Sequence, residues 1–185
     1  MKPLTEPEVE EFFAPHGHLA YRYTMLWTHL LRFPSDHGLE HAHAVCAFEA
    51  CLLACRVFTD FLGLGLDRRT NMLVEKPRGG DVDDLRVTDL GGSCVMLSDL
   101  SPDQRELLAD VYRLSNKSTA HFTHGAQGLT PASRTHLAVV LLDDLLRIHL
   151  YDRVGRKPTG HWQLSPKSLD DLMASRRAQL TSASS

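Results

Sequence analysis

The longest apolar stretch, Leu39 to Leu62, constrains this chain most. Rich in Ala, Leu, Cys and Phe and closed by Gly63, it is too long for a strand and predicts a central helix buried on most of its circumference. It also carries Glu49, Arg56 and Asp60, whose spacings nearly close whole turns and place them within about 40° of one another. Burying an unpaired charge costs several kcal/mol, so these groups must find partners on that face or on a neighbouring helix.

Other segments supply the partners for such a helix. Thr5-Glu6-Pro7-Glu8 reads as a helix start, and a short helix to about Ala14 follows. From Gly17 to Phe33, Leu19, Tyr23, Leu26, Leu30 and Phe33 recur at intervals of three and four, the stripe of an amphipathic helix ending near Pro34. Ser101-Pro102-Asp103-Gln104 opens another helix, with Leu107, Val111, Leu114, Ser118 and His121 on one face and an end by Gly125. Thr130-Pro131 repeats the start signal for a helix to about Val154, with Leu137, Val140, Leu141, Leu145 and Ile148 as its apolar face. Ser165-Pro166 opens a last short helix, and 180–185 reads as a frayed tail.

Between about 63 and 100 no period holds. A helical turn or short strand is open over Val82 to Leu90, and the segment reads as a long irregular connection. The predicted architecture is all-α: an up-and-down bundle of four main helices with short extra terminal helices. The 185 residues suit one domain, with its core over about 17–154. No apolar run approaches the roughly 20 residues that span a bilayer, so no membrane partner is expected. The acidic N-terminal stretch lacks a secretory h-region, which makes the cytoplasm the expected location.

A second helix has its own polar residues. Arg113 to Thr123 places Asn116, Lys117 and His121 among Leu and Val, and Lys117 and His121, one turn apart, are the expected partners of Glu49, Arg56 and Asp60. His121 is the candidate general acid or base, because imidazole titrates near neutral pH. Arg113 and Asn116 are candidates to hold a phosphate or an oxyanion, although Asn116 points roughly 140° away from His121 on an ideal helix. No Gly-rich phosphate loop, nucleophile elbow or Rossmann fingerprint is present, and no cofactor is expected.

Eleven histidines raise the question of metal. Glu40-His41-Ala42-His43 holds one Glu-x-x-His, but a di-iron bundle needs a second copy, so a metal-dependent helical enzyme is the third reading and no metal site is assigned. His16, His18, His29, His136, His149 and His161 read as surface or interfacial residues. Cys46, Cys51, Cys55 and Cys94 show no CxxC spacing and read as small buried thiols. The net charge of −3 gives no global attraction for nucleic acid, though a local basic groove remains open.

Two stretches carry a resemblance: Phe48-Glu49-Ala50-Cys51-Leu52-Leu53-Ala54-Cys55-Arg56-Val57-Phe58-Thr59-Asp60-Phe61 and Asn116-Lys117-Ser118-Thr119-Ala120-His121-Phe122-Thr123. They resemble the signature stretches of a group of bacterial helical proteins similar to the HEPN superfamily. The resemblance covers roughly residues 40 to 150. It implies a compact helical homodimer and, in many members, a metal-independent ribonuclease of toxin-antitoxin or defence systems, acting on RNA and held by a cognate partner protein. His121 would then act on the proton and Arg113 or Lys117 on the scissile phosphate. Other members are non-catalytic binding modules, which is the alternative function.

Overall fold

The computed structural model describes residues 4–32, 38–76, 84–118 and 132–160, and residues 170, 171, 173–175, 177 and 178. It is mostly helical. In chain order come α1 (Glu6–Phe13), α2 (His18–Arg32), α3 (Gly38–Phe61), β1 (Leu64–Leu66), β2 (Leu73–Glu75), α4 (Pro102–Ser118) and α5 (Ala132–Leu146). Short 3-10 turns cover Val87–Leu90 and Leu97–Asp99, and a π-helical segment, Arg147–Tyr151, continues α5.

The starts of α1 and α4 follow their sequence signals, while the expected start at Thr130-Pro131 lies outside the described residues. Thr5 caps α1, its backbone N–H and hydroxyl both donating to the Glu8 carboxylate at 2.7 and 2.8 Å. Ser101 and Gln104 form a reciprocal box at α4, Ser101 Oγ accepting from the Gln104 N–H and Gln104 Oε1 from the Ser101 N–H. The α2 stripe is buried as predicted at Leu19, Tyr23, Leu26 and Leu30, and Trp27 joins it. The expected helix start at Ser165-Pro166 and the tail at 180–185 lie outside the described residues, although described residues between 170 and 178 are helical.

The connection before α4 is not irregular throughout: the mostly helical fold includes a small two-stranded sheet. β1 and β2 pair antiparallel with Leu64 opposite Glu75, Gly65 opposite Val74 and Leu66 opposite Leu73. The turn between them is local chemistry: Asp67 Oδ1 accepts the N–H groups of Arg69 and Thr70 at 2.8 Å, and Asn71 takes a positive φ of 57°. Gly63 makes the entry to the hairpin. It has φ +89°, and a Cβ there would stand 2.8 Å from Cys94 Sγ, so both backbone sign and space require glycine. The 3-10 turn at Val87–Leu90 falls within Val82 to Leu90, where the sequence allows a helical turn.

One apolar cluster runs from Leu19 of α2 through α3, the hairpin, α4 and α5 to Met173. Two helix faces depart from the expected ones. The described start of α3, residues 43–50, is exposed to half-buried, and only from Cys51 on is the helix deeply packed. In α5 the buried apolar side chains are Ala138, Val139, Leu142, Leu145 and Leu146, of which Leu145 lies on the expected face, and Thr135 and Asp143 are buried with them; Ile148, in the π-helical continuation, is 56% exposed. The predicted stripe is thus displaced, because the unbroken apolar run from Leu137 to Leu142 offers periodicity no contrast to read.

The π-helical end of α5 has a tertiary partner. The His149 carbonyl accepts the Ser93 N–H at 2.8 Å, and Ser93 Oγ lies 3.2 Å from His149 Nδ1. The loop at 92–93 therefore docks on this segment, and His149 is 8% exposed, buried rather than at the surface. Cys51 and Cys55 are buried as expected, but Cys46 is exposed. No helix among the described residues is long and apolar enough to cross a membrane.

Candidate functional site

The polar face of α3 meets partners from two elements. Tyr112 of α4 donates its hydroxyl to the Asp60 carboxylate, 2.9 Å from Oδ1 and 3.1 Å from Oδ2. Lys76, just after β2, ion-pairs with Asp60 Oδ1. Arg56 stands one turn before Asp60, its Nε 3.9 Å from Oδ2 and its guanidinium 5.6 Å above the Tyr112 ring. Burial works against the charge on Lys76, but the Asp60 carboxylate outweighs it and holds the ammonium above its usual value. Burial and then the same carboxylate push the Tyr112 phenol up. These three groups hold Asp60 as a satisfied anion.

Of the residues expected at one site, Arg56 and Asp60 are brought together. Glu49 is exposed. Asn116 is half-buried one turn after Tyr112, on the same side of α4. Arg113 belongs to a different group: it ion-pairs with Asp110, donates to the Asn71 carbonyl at 2.9 Å, and shares Asp110 with Arg134 of α5 at 2.6 Å. It fastens the hairpin turn and α5 to α4. The side chain of Lys117 and the whole of His121 lie outside the described residues.

Beside Asp60 and Lys76 opens a cleft of about 430 Å³. Phe12 of α1, Leu19 of α2, and Val57, Phe58 and Phe61 of α3 make it largely apolar, while Arg22, Asp84 and Arg86 add charges. Arg86 Nη1 donates to the Lys76 carbonyl at 2.9 Å. Arg22 differs: its described contacts are the Met25 sulfur at 3.7 Å and the Tyr21 ring at 5.6 Å. Among the described residues no carboxylate ion-pairs with it.

A second polar centre surrounds Asp143, whose side chain has 0% exposure. Tyr23 donates its hydroxyl to Asp143 Oδ1 at 2.5 Å, Arg147 Nε donates to Oδ2 at 3.1 Å, and Arg177 pairs with the same Oδ2. Arg177 also binds Asp144 at 2.7 Å and lies 5.8 Å from the centre of the Trp27 ring. Burial, then the Asp143 charge, raise the pKa values of Tyr23 and Tyr151, so both phenols stay protonated. The sequence reading missed this centre. The i, i+4 pair Asp143 and Arg147 in an otherwise apolar run was its signal; Tyr23 and Arg177 are too distant in the chain to be tied to it.

His29 of α2 sits between Phe48 and His136, tilted against both rings, with centroids 4.9 and 5.0 Å away. Burial and then the His136 charge lower its pKa to about 4. The unfolded chain titrates near 6.5, so His29 contributes stability that is complete above that pH and is lost as pH falls toward 4. After discounting for its partial exposure, the loss is on the order of 1–2 kcal/mol. Denaturant unfolding from pH 7 to pH 4 measures it, and His29→Phe is expected to flatten the dependence by that amount.

Among the described residues no three His, Cys, Asp or Glu side chains are grouped to hold a metal. His43 is exposed, and the side chains of Glu40 and His41 lie outside the described residues. No family model matches the chain, and no curated protein or solved structure is significantly similar to it. Fold and sites together describe a mostly helical protein with a small hairpin, an apolar cleft beside Asp60 and a polar pocket over Asp143.

Proposed function

We propose that this protein is a non-catalytic ligand-binding helical module whose cleft takes a small molecule with an apolar body and an anionic head. The observation that carries this reading is Arg22, a guanidinium at an apolar cleft whose described contacts are a thioether and a ring rather than a carboxylate. Apolar concavities with a few convergent polar groups are the usual form of small-molecule sites. An arginine fork matches a carboxylate or phosphate bidentately. Asp60, saturated by Tyr112, Lys76 and Arg56, acts in this reading as a wall that keeps its cations in place, and not as a base.

Decanoate and 3-phenylpropionate are suitable probes, followed by calorimetry. Binding of either is expected to weaken about tenfold or more in Arg22→Ala, in line with the loss of one charge-assisted contact. The uncharged alcohol analogues are expected to bind the native protein as weakly as the acids bind the variant. Equal affinity for acid and alcohol would sink the assignment of Arg22. Cleavage of RNA without metal, abolished by His121→Ala with the fold intact, would replace this reading by that of a HEPN-like ribonuclease. Homodimer formation and a cytoplasmic setting belong to either proposal.

A further inference from the structure

The pocket over Asp143 lies outside the Asp60 cleft and has a volume of about 760 Å³. Its polar lining separates into two kinds. At the buried end are the Tyr23 hydroxyl, Arg147 and Arg177, gathered on Asp143. Tyr23 is 1% exposed and Asp143 is fully buried, so the anchor of this end is built into the core, while the Arg147 and Arg177 side chains, 38% and 26% exposed, reach from it into the pocket. Asp143 and Asp144 together balance the two guanidinium charges, so this end is neutral but rich in donors. Arg147 spends its Nε–H on Asp143 and one Nη2 donor on the Tyr23 oxygen at 3.4 Å, which leaves other donors of its five.

The outer lining has the opposite possibility. Asp152 and Asp170 are both exposed carboxylates in the same lining. Lys157 is an exposed cation beside them, and Arg156 is taken up by an ion pair with Glu10 and by the Phe13 ring, 4.5 Å from its guanidinium. A simple anion would gain at Arg147 and be repelled by two carboxylates. A simple cation would make no use of the remaining donors of Arg147. A molecule carrying both charges satisfies both ends.

We propose that this pocket binds a small zwitterion, its carboxylate on Arg147 and its ammonium group on Asp152 and Asp170. The chemical class is an amino acid with separated charges. The buried end recognises the planar anion by the guanidinium fork, as arginine does for carboxylates elsewhere. The exposed carboxylates receive the ammonium group as a point charge with rotatable donors.

The test is calorimetric titration of the full chain with glycine, β-alanine, 4-aminobutyrate and 6-aminohexanoate, beside butyrate and butylammonium as the two halves. One length in the zwitterion series is expected to bind at least about tenfold more tightly than either half, the equivalent of one charge-assisted contact. The Asp152→Asn, Asp170→Asn double variant, changed at exposed positions that leave the Asp143 centre intact, is expected to lose that advantage while holding or improving its affinity for butyrate. Butyrate binding as tightly as every zwitterion would overturn the proposal in favour of a plain anion site. Absence of saturable binding by the whole series would overturn it altogether.

Discussion

Asp143→Ala is expected to lower the unfolding free energy by about 3–5 kcal/mol, the usual cost of removing one partner from a buried ionic cluster. In a chain of this length that corresponds to a fall of roughly 10 °C in Tm. The cause is what the change leaves behind. Arg147 and Arg177 would face each other in the space of a carboxylate with 0% exposure, and the Tyr23 hydroxyl would lose its 2.5 Å acceptor. Asp143→Asn separates the contributions, because the amide can still accept from Tyr23 but cannot balance two guanidinium charges. Its loss is expected to approach that of alanine. Thermal and denaturant unfolding measure both variants, and a loss below about 1 kcal/mol would mean that water already screens the cluster.

Phe58→Ala carries the second large effect, also about 3–5 kcal/mol, the range for emptying a fully packed aromatic site. Phe58 is 1% exposed in the shared core, and its ring lies 6.4 Å from that of Phe61 in an edge-on arrangement. It also lines the Asp60 cleft. The substitution therefore removes core contacts and widens the cleft at once. Denaturant unfolding is expected to show a lower midpoint with little change in slope, since the same surface is still exposed on unfolding. A loss under about 1.5 kcal/mol, the scale of a conservative core exchange, would show that the walls of the cleft collapse onto the space.

Legibility in the sequence followed contrast. Helix α2, with polar residues between its apolar ones, had its buried face read correctly at Leu19, Tyr23, Leu26 and Leu30. In helix α5 the unbroken apolar run Leu137 to Leu142 hides the face: Leu145 is buried as expected, but the rest of the buried set is Ala138, Val139, Leu142 and Leu146, with Thr135 and Asp143 among them. The hairpin escaped because its signals are a single Asx turn at Asp67 and one left-handed Asn71, too short to register as periodicity. Of the expected polar site only the pair Arg56 and Asp60 was legible, since the two share a face by helical arithmetic alone. Their partners were not, because neither Lys76 nor Tyr112 is marked by spacing or by an apolar context.

Helix existence, helix starts and the need of the α3 charges for partners were therefore properties of the chain itself, set by capping chemistry, periodicity and the cost of burying charge. Which groups meet was decided only by the tertiary structure. Asp60 finds a phenol from α4 and an ammonium from beyond β2, and Asp143 finds residues 120 and 34 positions away in Tyr23 and Arg177. The reason is physical. A buried carboxylate fixes the number and kind of its partners, but any donor that packing brings within about 3 Å will satisfy it, and packing is a property of the whole core.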